Sequence, residues 1–279
     1  MKFRLLALDL DGTTVLDDGG VNPRDLRAIR AAQDAGIIVT IITGRLFSGT
    51  RPVAHHLGVT GPIGVMNGSE IRYVEDGHRL EAHYLCNTTR TMSREALGGF
   101  DLAPFVMSSD HVHYDPRGAH HLDALKAWTE QFVPHDDLFD SHAWDHHDGV
   151  LAVFGVGERE AALQAQASLR DQLPMDNEVL HFAGFKTPAN IVCVRGRTRD
   201  KGTALHRIAG EYGLTVDDCV AVGDWFNDLP MLEVAGRSFA MGTAPEGLLP
   251  HADEQIPHTS VEGGGIAEVI DRIWGIREP

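Results

Sequence analysis

Four short apolar runs punctuate the chain: Leu5–Leu8 and residues 37–42, 63–66 and 219–222, each stopping abruptly at polar residues or glycine. Such runs without polar alternation predict strands buried on both faces. Between the first two, Asn22-Pro23 reads as an N-cap and first helical position, Leu26, Ile29 and Ala32 mark an apolar face, and Gly36 ends the helix. A second helix reaches Leu57, with Gly58 behind it. The order strand, helix, strand, helix, strand predicts an α/β fold with right-handed crossovers and a doubly wound parallel sheet. Ligands of such sheets bind beyond the carboxyl ends of the strands.

Between about Tyr84 and Arg195 the texture changes. Strands are expected over residues 105–109 and 150–155, and helices around 122–132 and 158–173, joined by longer polar connections. This pattern predicts an inserted α+β domain over 85–195, flanked by core segments 1–84 and 196–279. From Lys201 the α/β rhythm returns: a helix to Tyr212, the strand 219–222, a polar loop 223–228, a helix from Leu229-Pro230, a strand over 237–241 and a last helix ending near Trp274. No internal repeat is present.

A length of 279 residues suits two domains or one large one. With 43% apolar and 23% charged residues, the composition excludes a disordered chain, a collagen and a disulfide scaffold. Lys and Arg number 24 against 40 Asp and Glu, a net charge of −16 that disfavours nucleic acid and anionic membranes as partners. A small anionic substrate remains compatible, provided that its pocket supplies a lysine, helix N-termini or a metal ion. Cys86, Cys193 and Cys219 are too few and too scattered for a disulfide framework or a zinc pair, which suits a reducing compartment. No apolar run nears the roughly 18 residues of a membrane span, and the first residues carry no cleavage site, so a cytoplasmic protein without export signal is expected. No feature of the sequence specifies an oligomeric state.

Asp9-Leu10-Asp11-Gly12-Thr13 places two carboxylates at alternate positions just past a buried strand, with Gly12 letting the chain turn away. Packed together they repel, and the pair is tolerable when a divalent cation neutralises one while the other holds a proton part of the time. Thr43-Gly44-Arg45 ends the second strand with a hydroxyl and a backbone N–H suited to a phosphoryl oxygen. Lys201 starts a helix whose amide dipoles add to its charge. Gly223-Asp224-Trp225-Phe226-Asn227-Asp228 follows another buried strand and supplies hard oxygen ligands of the kind magnesium prefers.

In this order and spacing, DLDGT, TGR, DKGTAL and GDWFNDLPML resemble the four motifs of the haloacid dehalogenase-like hydrolases, most closely the Cof-type, type IIB phosphatases with a large α/β cap between the second and third motifs. Asn67-Gly68, the stretch 235–242 and Gly263-Gly264-Gly265 add to the likeness. The resemblance implies a Mg²⁺-dependent phosphatase of small phosphorylated metabolites such as sugar phosphates. In it Asp9 attacks phosphorus to form an aspartyl-phosphate, and Asp11 protonates the leaving oxygen and then activates water. Thr43, Gly44, Lys201 and Leu10 would bind the phosphoryl group. Asp9, Asp224 and the carbonyl of Asp11 would hold Mg²⁺, with Asn227 and Asp228 in support. Asn67, Lys186 and Asn190 are substrate candidates. A phosphomutase using the same aspartyl-phosphate, and a noncatalytic phosphometabolite sensor, are the alternatives.

Thr243 departs from the family's more usual Asn, and Trp225-Phe226 set two aromatics where small or polar residues are common. Eight of the sixteen histidines fall between His111 and His147. None of their spacings matches an HExxH or C2H2 zinc site, so solvated or locally hydrogen-bonded histidines are the simpler expectation. Trp128 and Phe132, four apart, are expected to share a helix face in the core.

Overall fold

The computed structural model describes residues 2–16, 19–126, 128–183, 188–197 and 199–277. The first stretch contains β1 (Leu5–Leu8), α1 (Pro23–Asp34), β2 (Ile38–Ile41), α2 (Phe47–His56), β3 (Pro62–Val65), β4 (Glu70–Tyr73) and β5 (Arg79–Ala82). The middle contains α3 (Asn87–Leu97), β6 (Leu102–Ser108), β7 (Val112–Tyr114), α4 (Leu122–Leu125), β8 (Phe132–Pro134), β9 (Val150–Gly157), α5 (Arg159–Gln172), β10 (Asn177–Ala183) and β11 (Asn190–Gly196). The last stretch contains α6 (Lys201–Glu211), β12 (Cys219–Gly223), α7 (Leu229–Val234), β13 (Arg237–Ala240), β14 (Glu254–Gln255) and α8 (Gly265–Trp274). Two compact units result: Met1–Gly44, Arg51–Glu81 and Arg199–Pro279 form one, Arg45–Thr50 and Ala82–Thr198 the other.

The first unit is built on a parallel sheet in the order β14-β13-β12-β1-β2. All four side chains of β1 are fully buried, as its unbroken apolar run requires of a central strand. Each such leucine contributes roughly 1.5–3 kcal/mol of transfer free energy. Leu8 lies level with Val222 on one side and Ile41 on the other, so three strands end together. The residues that follow them therefore emerge at one edge.

α1 is capped by the Asn22 side chain, which accepts the Arg24 N–H, with Pro23 in the first turn. Its buried face includes Asp25, whose carboxylate accepts the N–H groups of Gly264 and Ala267 at 2.9 Å each and so caps α8 from a distant part of the chain. The third strand departs from the expected pattern. Gly64 of β3 forms an isolated parallel bridge with Ile42, the residue after β2, and β3 pairs antiparallel with β4, giving a separate sheet β3-β4-β5. The cause is the tight turn at residues 66–68, where Met66, Asn67 and Gly68 all have positive φ and reverse the chain at once.

The second unit carries a six-stranded sheet, β10-β11-β9-β6-β7-β8, antiparallel except for β7 with β8. α3 and α5 contribute Leu97, Ala162, Ala165 and Leu169 to a core shared with Val106, Val153, Val192 and Val194. The expected helix over 122–132 is corrected to a single turn, Leu122–Leu125, and Phe132 begins a strand. Trp128 and Phe132 therefore share no helix face. Tertiary contacts override the local period here: the Trp128 carbonyl accepts the Leu46 N–H, its ring meets Phe154 edge-on at 5.3 Å, and Val112 pairs with Phe132. His113 is buried in this unit, and burial pushes its imidazole down to about 3. Among the described residues, no helix is long and apolar enough to cross a membrane.

Candidate active site

Asp9 leaves β1 with its N–H bonded to the Val222 carbonyl, at the edge where β1, β2 and β12 end. The chain then turns tightly, the Leu10 carbonyl accepting the N–H groups of Thr13, Thr14 and Val15, and the Thr14 hydroxyl donating to the Asp9 carbonyl at 2.6 Å. Gly12 is required at the centre of this turn. Its φ is +83°, and a Cβ there would lie 2.2 Å from Asp224 Oδ2. The first strand's loop and the loop after β12 are thus in direct apposition.

Lys201 enters from α6, whose first turn is fixed by a reciprocal capping box. The Asp200 carboxylate accepts the Thr203 N–H at 2.8 Å, and the Thr203 hydroxyl accepts the Asp200 N–H at 3.0 Å. From that anchored position the fully buried ammonium donates to Asp9 Oδ1 at 2.5 Å and to Asp228 Oδ1 at 2.6 Å. The other oxygen of Asp228 accepts the backbone N–H groups of Asp224 and Trp225 at 2.9 and 3.0 Å. Asp228 therefore organises the loop instead of capping α7, to which its side chain makes no capping bond.

Asp9 is 4% exposed, and Asp224 and Asp228 are likewise buried. Oxygens of the three carboxylates lie within 4.8 Å of one another. Fully ionised, they exceed the single ammonium by two negative charges. Burial, and then the charge of Asp228, push the Asp224 carboxyl up to about 7. Burial first, with Asp228 next, also raises Asp9, against the pull of Lys201. The same two carboxylates raise Lys201 against the effect of its burial.

Most of the expected residues converge here. Asp9, Lys201, Asp224 and Asp228 meet through the contacts just described, while Asp11 stands exposed two residues beyond Asp9. Thr43 lies two residues past β2 and is buried, its N–H bonded to the Gly64 carbonyl and its carbonyl to the Asn67 N–H. Asn67 accepts the amide of Asn227 at 2.9 Å, and Gly44 lies against the Asn67 side chain. Asn190 lies in β11 of the second unit and bonds to His181 at 3.0 Å. Lys186 lies outside the described residues. Thr13, which sequence reasoning did not single out, donates to Asp224 Oδ1 at 3.2 Å. Its signal was present as the last residue of DLDGT, two past Asp11.

The model of the family described as haloacid dehalogenase-like hydrolase matches residues 6–270, spanning every segment that meets at this site. The chain is a haloacid dehalogenase-like hydrolase. It belongs to the Cof-type branch of these hydrolases, and its inserted unit is built on a largely antiparallel sheet. This hydrolase is 28% identical over 273 residues to the HMP-PP phosphatase of Serratia proteamaculans, covering 94% of this chain and 90% of that one. It is 27% identical over 281 residues to the 5-amino-6-(5-phospho-D-ribitylamino)uracil phosphatase of Bacillus subtilis, covering 98% and 96%. A crystal structure of a haloacid dehalogenase-like hydrolase from Bacteroides thetaiotaomicron superposes with a TM-score of 0.84 at 24% identity, over 98% of this chain and 100% of that one.

Proposed function

We propose that this hydrolase is a Mg²⁺-dependent phosphatase of small phosphorylated metabolites, acting through a phosphoryl group carried on Asp9. The observation that supports this most is the buried contact of Lys201 with Asp9, beside two further carboxylates on one loop. The relatives named above are both phosphatases of small organic phosphates.

The donor set fits a divalent cation. It is all hard oxygen and carries two negative charges beyond what Lys201 offsets, and each of Asp9 and Asp224 gives only one oxygen to the protein donors described here. Asp9, Asp224 and the Asp11 carbonyl would hold Mg²⁺, with Asp228 and Asn227 keeping the loop in place. Once bound, the ion supplies positive charge that holds the acids ionised and offsets charge on the phosphoryl oxygens.

The Asp9 carboxylate, oriented by Lys201, attacks phosphorus with the oxygen that the lysine does not hold. The new oxygen–phosphorus bond forms as the ester bond breaks, and Asp11 gives its proton to the departing oxygen. Asp11, now ionised, takes a proton from water. The resulting hydroxide attacks phosphorus, breaking the bond to Asp9 and releasing phosphate. Lys201, the Thr43 hydroxyl and the N–H groups of Leu10 and Gly44 hold the transferring group, so rate enhancement rests on positioning and charge. Residues 85–195, with Lys186 and Asn190, and Asn67 of the core, are assigned to recognition of the leaving group.

Phosphate release from an aryl phosphate is expected to require Mg²⁺ and to fall by about a thousandfold or more in Asp9→Asn. Full activity in that variant would falsify the assignment of the nucleophile.

A further inference from the structure

The histidines of the second unit, dispersed in sequence, gather in space. Ring centroids lie 4.9 Å apart for His113 and His146, 5.3 Å for His113 and His135, 5.6 Å for His135 and His142, and 6.2 Å for His111 and His146. At the edge of this cluster, just before β9, His146, His147 and Asp148 each bring one ligand atom within 4.8 Å of the others. A second observation concerns His111. Its Nδ1 is buried and has no hydrogen-bond partner among the described residues. A buried nitrogen left dry and unpaired is unfavourable, a cost that a ligand at that point would recover.

We propose that His146, His147 and Asp148, joined by His111, form a binding site for a zinc-class transition-metal ion, distinct from the acidic centre of the first unit. Imidazole nitrogens with one carboxylate select zinc over magnesium, which takes oxygen ligands. His111, with its ring centre 6.2 Å from that of His146, lies outside the three ligand atoms that converge within 4.8 Å and would turn toward them to complete the site. His147 Nε2 already lies 3.4 Å from Asp148 Oδ2, and its side chain is 82% exposed and free to turn. The cost is small: either nitrogen of His146 ligates by giving up the long 3.3 Å bond that its Nδ1 accepts from the Asp148 N–H.

The ion would act as a staple. Ser109 donates to the Asp148 carbonyl at 3.3 Å, Tyr84 packs on Gly149, and the Leu85 N–H bonds to Val150. Metal binding would therefore tie the turn between β6 and β7 to the segment entering β9, next to the point where the chain enters this unit.

The test is calorimetric titration with Zn²⁺ alone of metal-free full-length Asp9→Asn/Asp224→Asn protein, in which the acidic centre is disabled. One ion per chain is expected, with affinity falling at least about tenfold on adding His147→Ala or His146→Ala. The neighbouring pair change His120→Ala/His121→Ala is expected to leave binding intact. Co²⁺ in place of Zn²⁺ is expected to give the intense visible absorption of a nitrogen-rich four-coordinate site, lost in the same variants. Circular dichroism confirms folding, which the exposed His147 position favours. Absence of saturable binding, or binding undiminished by both His146→Ala and His147→Ala, overturns the proposal.

Discussion

Asp224 shows how one residue couples the site to the stability of the protein. Its carboxyl titrates near 7 in the metal-free fold and near 3.8 in an ordinary environment, so the folded chain holds this proton more tightly than the unfolded one. That contribution to stability is complete below about pH 4 and is lost as pH rises through about 7. Between those limits the metal-free parent is therefore expected to lose melting temperature relative to Asp224→Asn, while the buried His113 acts in the opposite sense in both proteins. Asp224→Asn removes this loss and stabilises metal-free protein at pH 8 by about 1–3 kcal/mol relative to the parent, and Mg²⁺ raises the melting temperature of the parent but not of the variant. A pH series of thermal melts with and without Mg²⁺ checks all three; a difference between parent and variant that stays constant from pH 4 to 8 contradicts the charge excess. Lys201→Met is expected to be severe, costing about 3–5 kcal/mol at neutral pH because it leaves Asp9 and Asp228 buried without their cation. Denaturant unfolding measures it. Asp9, Lys201, Asp224 and Asp228 were legible in the sequence because each sits where an apolar run or a helix start fixes its place. The bond from Thr13 to Asp224 joins residues 211 positions apart, and local pattern carries no information about such closure.

At the scale of elements, the site depends on how tightly its turns and helix starts are held. Gly12→Ala combines a positive φ with a collision at Asp224 Oδ2, so it is expected to lower both stability and phosphate release. Gly68 has φ +92°, and a Cβ there would lie 2.4 Å from the Asp200 carbonyl, which pins the 66–68 turn against the start of α6. Asp200→Ala removes the cap of that helix and is expected to cost about 1 kcal/mol, with phosphate release falling further than stability as Lys201 loses its anchorage. Comparing the melting temperature with kcat separates the two effects. The starts of α1 and α6 could be read from Asn22-Pro23 and from the lysine-bearing start of DKGTAL. The segment 122–132 could not, since its helical spacing is local whereas the Trp128 carbonyl, the Phe154 ring and the β7 edge that decide its fate come from afar. The turn to β4 was hidden for a related reason: Met66 takes a positive φ that its side chain type does not advertise.

For the whole molecule, each unit has a hydrophobic core of its own, one around Leu5, Ala7, Leu205 and Ala221, the other around Leu97, Val153, Leu169 and Val192. Separate cores permit separate losses of structure. Leu169→Ala is expected to destabilise the second unit by about 2–5 kcal/mol and to speed amide exchange in β9 and β11 while leaving β1 protected. Uniform acceleration across both units contradicts this. The parallel character of the first sheet followed from the alternation of apolar runs and helices, but the strand order of neither unit did, because it rests on pairings between segments that meet only after the chain has folded back. What the molecule as a whole accomplishes is to bring Asp9 to Lys201, 192 positions away. The most direct measurement of its consequence is mass spectrometry of peptides from Asp11→Asn protein, acid-quenched after mixing with Mg²⁺ and an aryl phosphate whose leaving group needs no proton. A phosphoryl group on the peptide carrying Asp9 is the expected result. Release of the aryl alcohol with that peptide unlabelled, or with the label on another residue, contradicts the account.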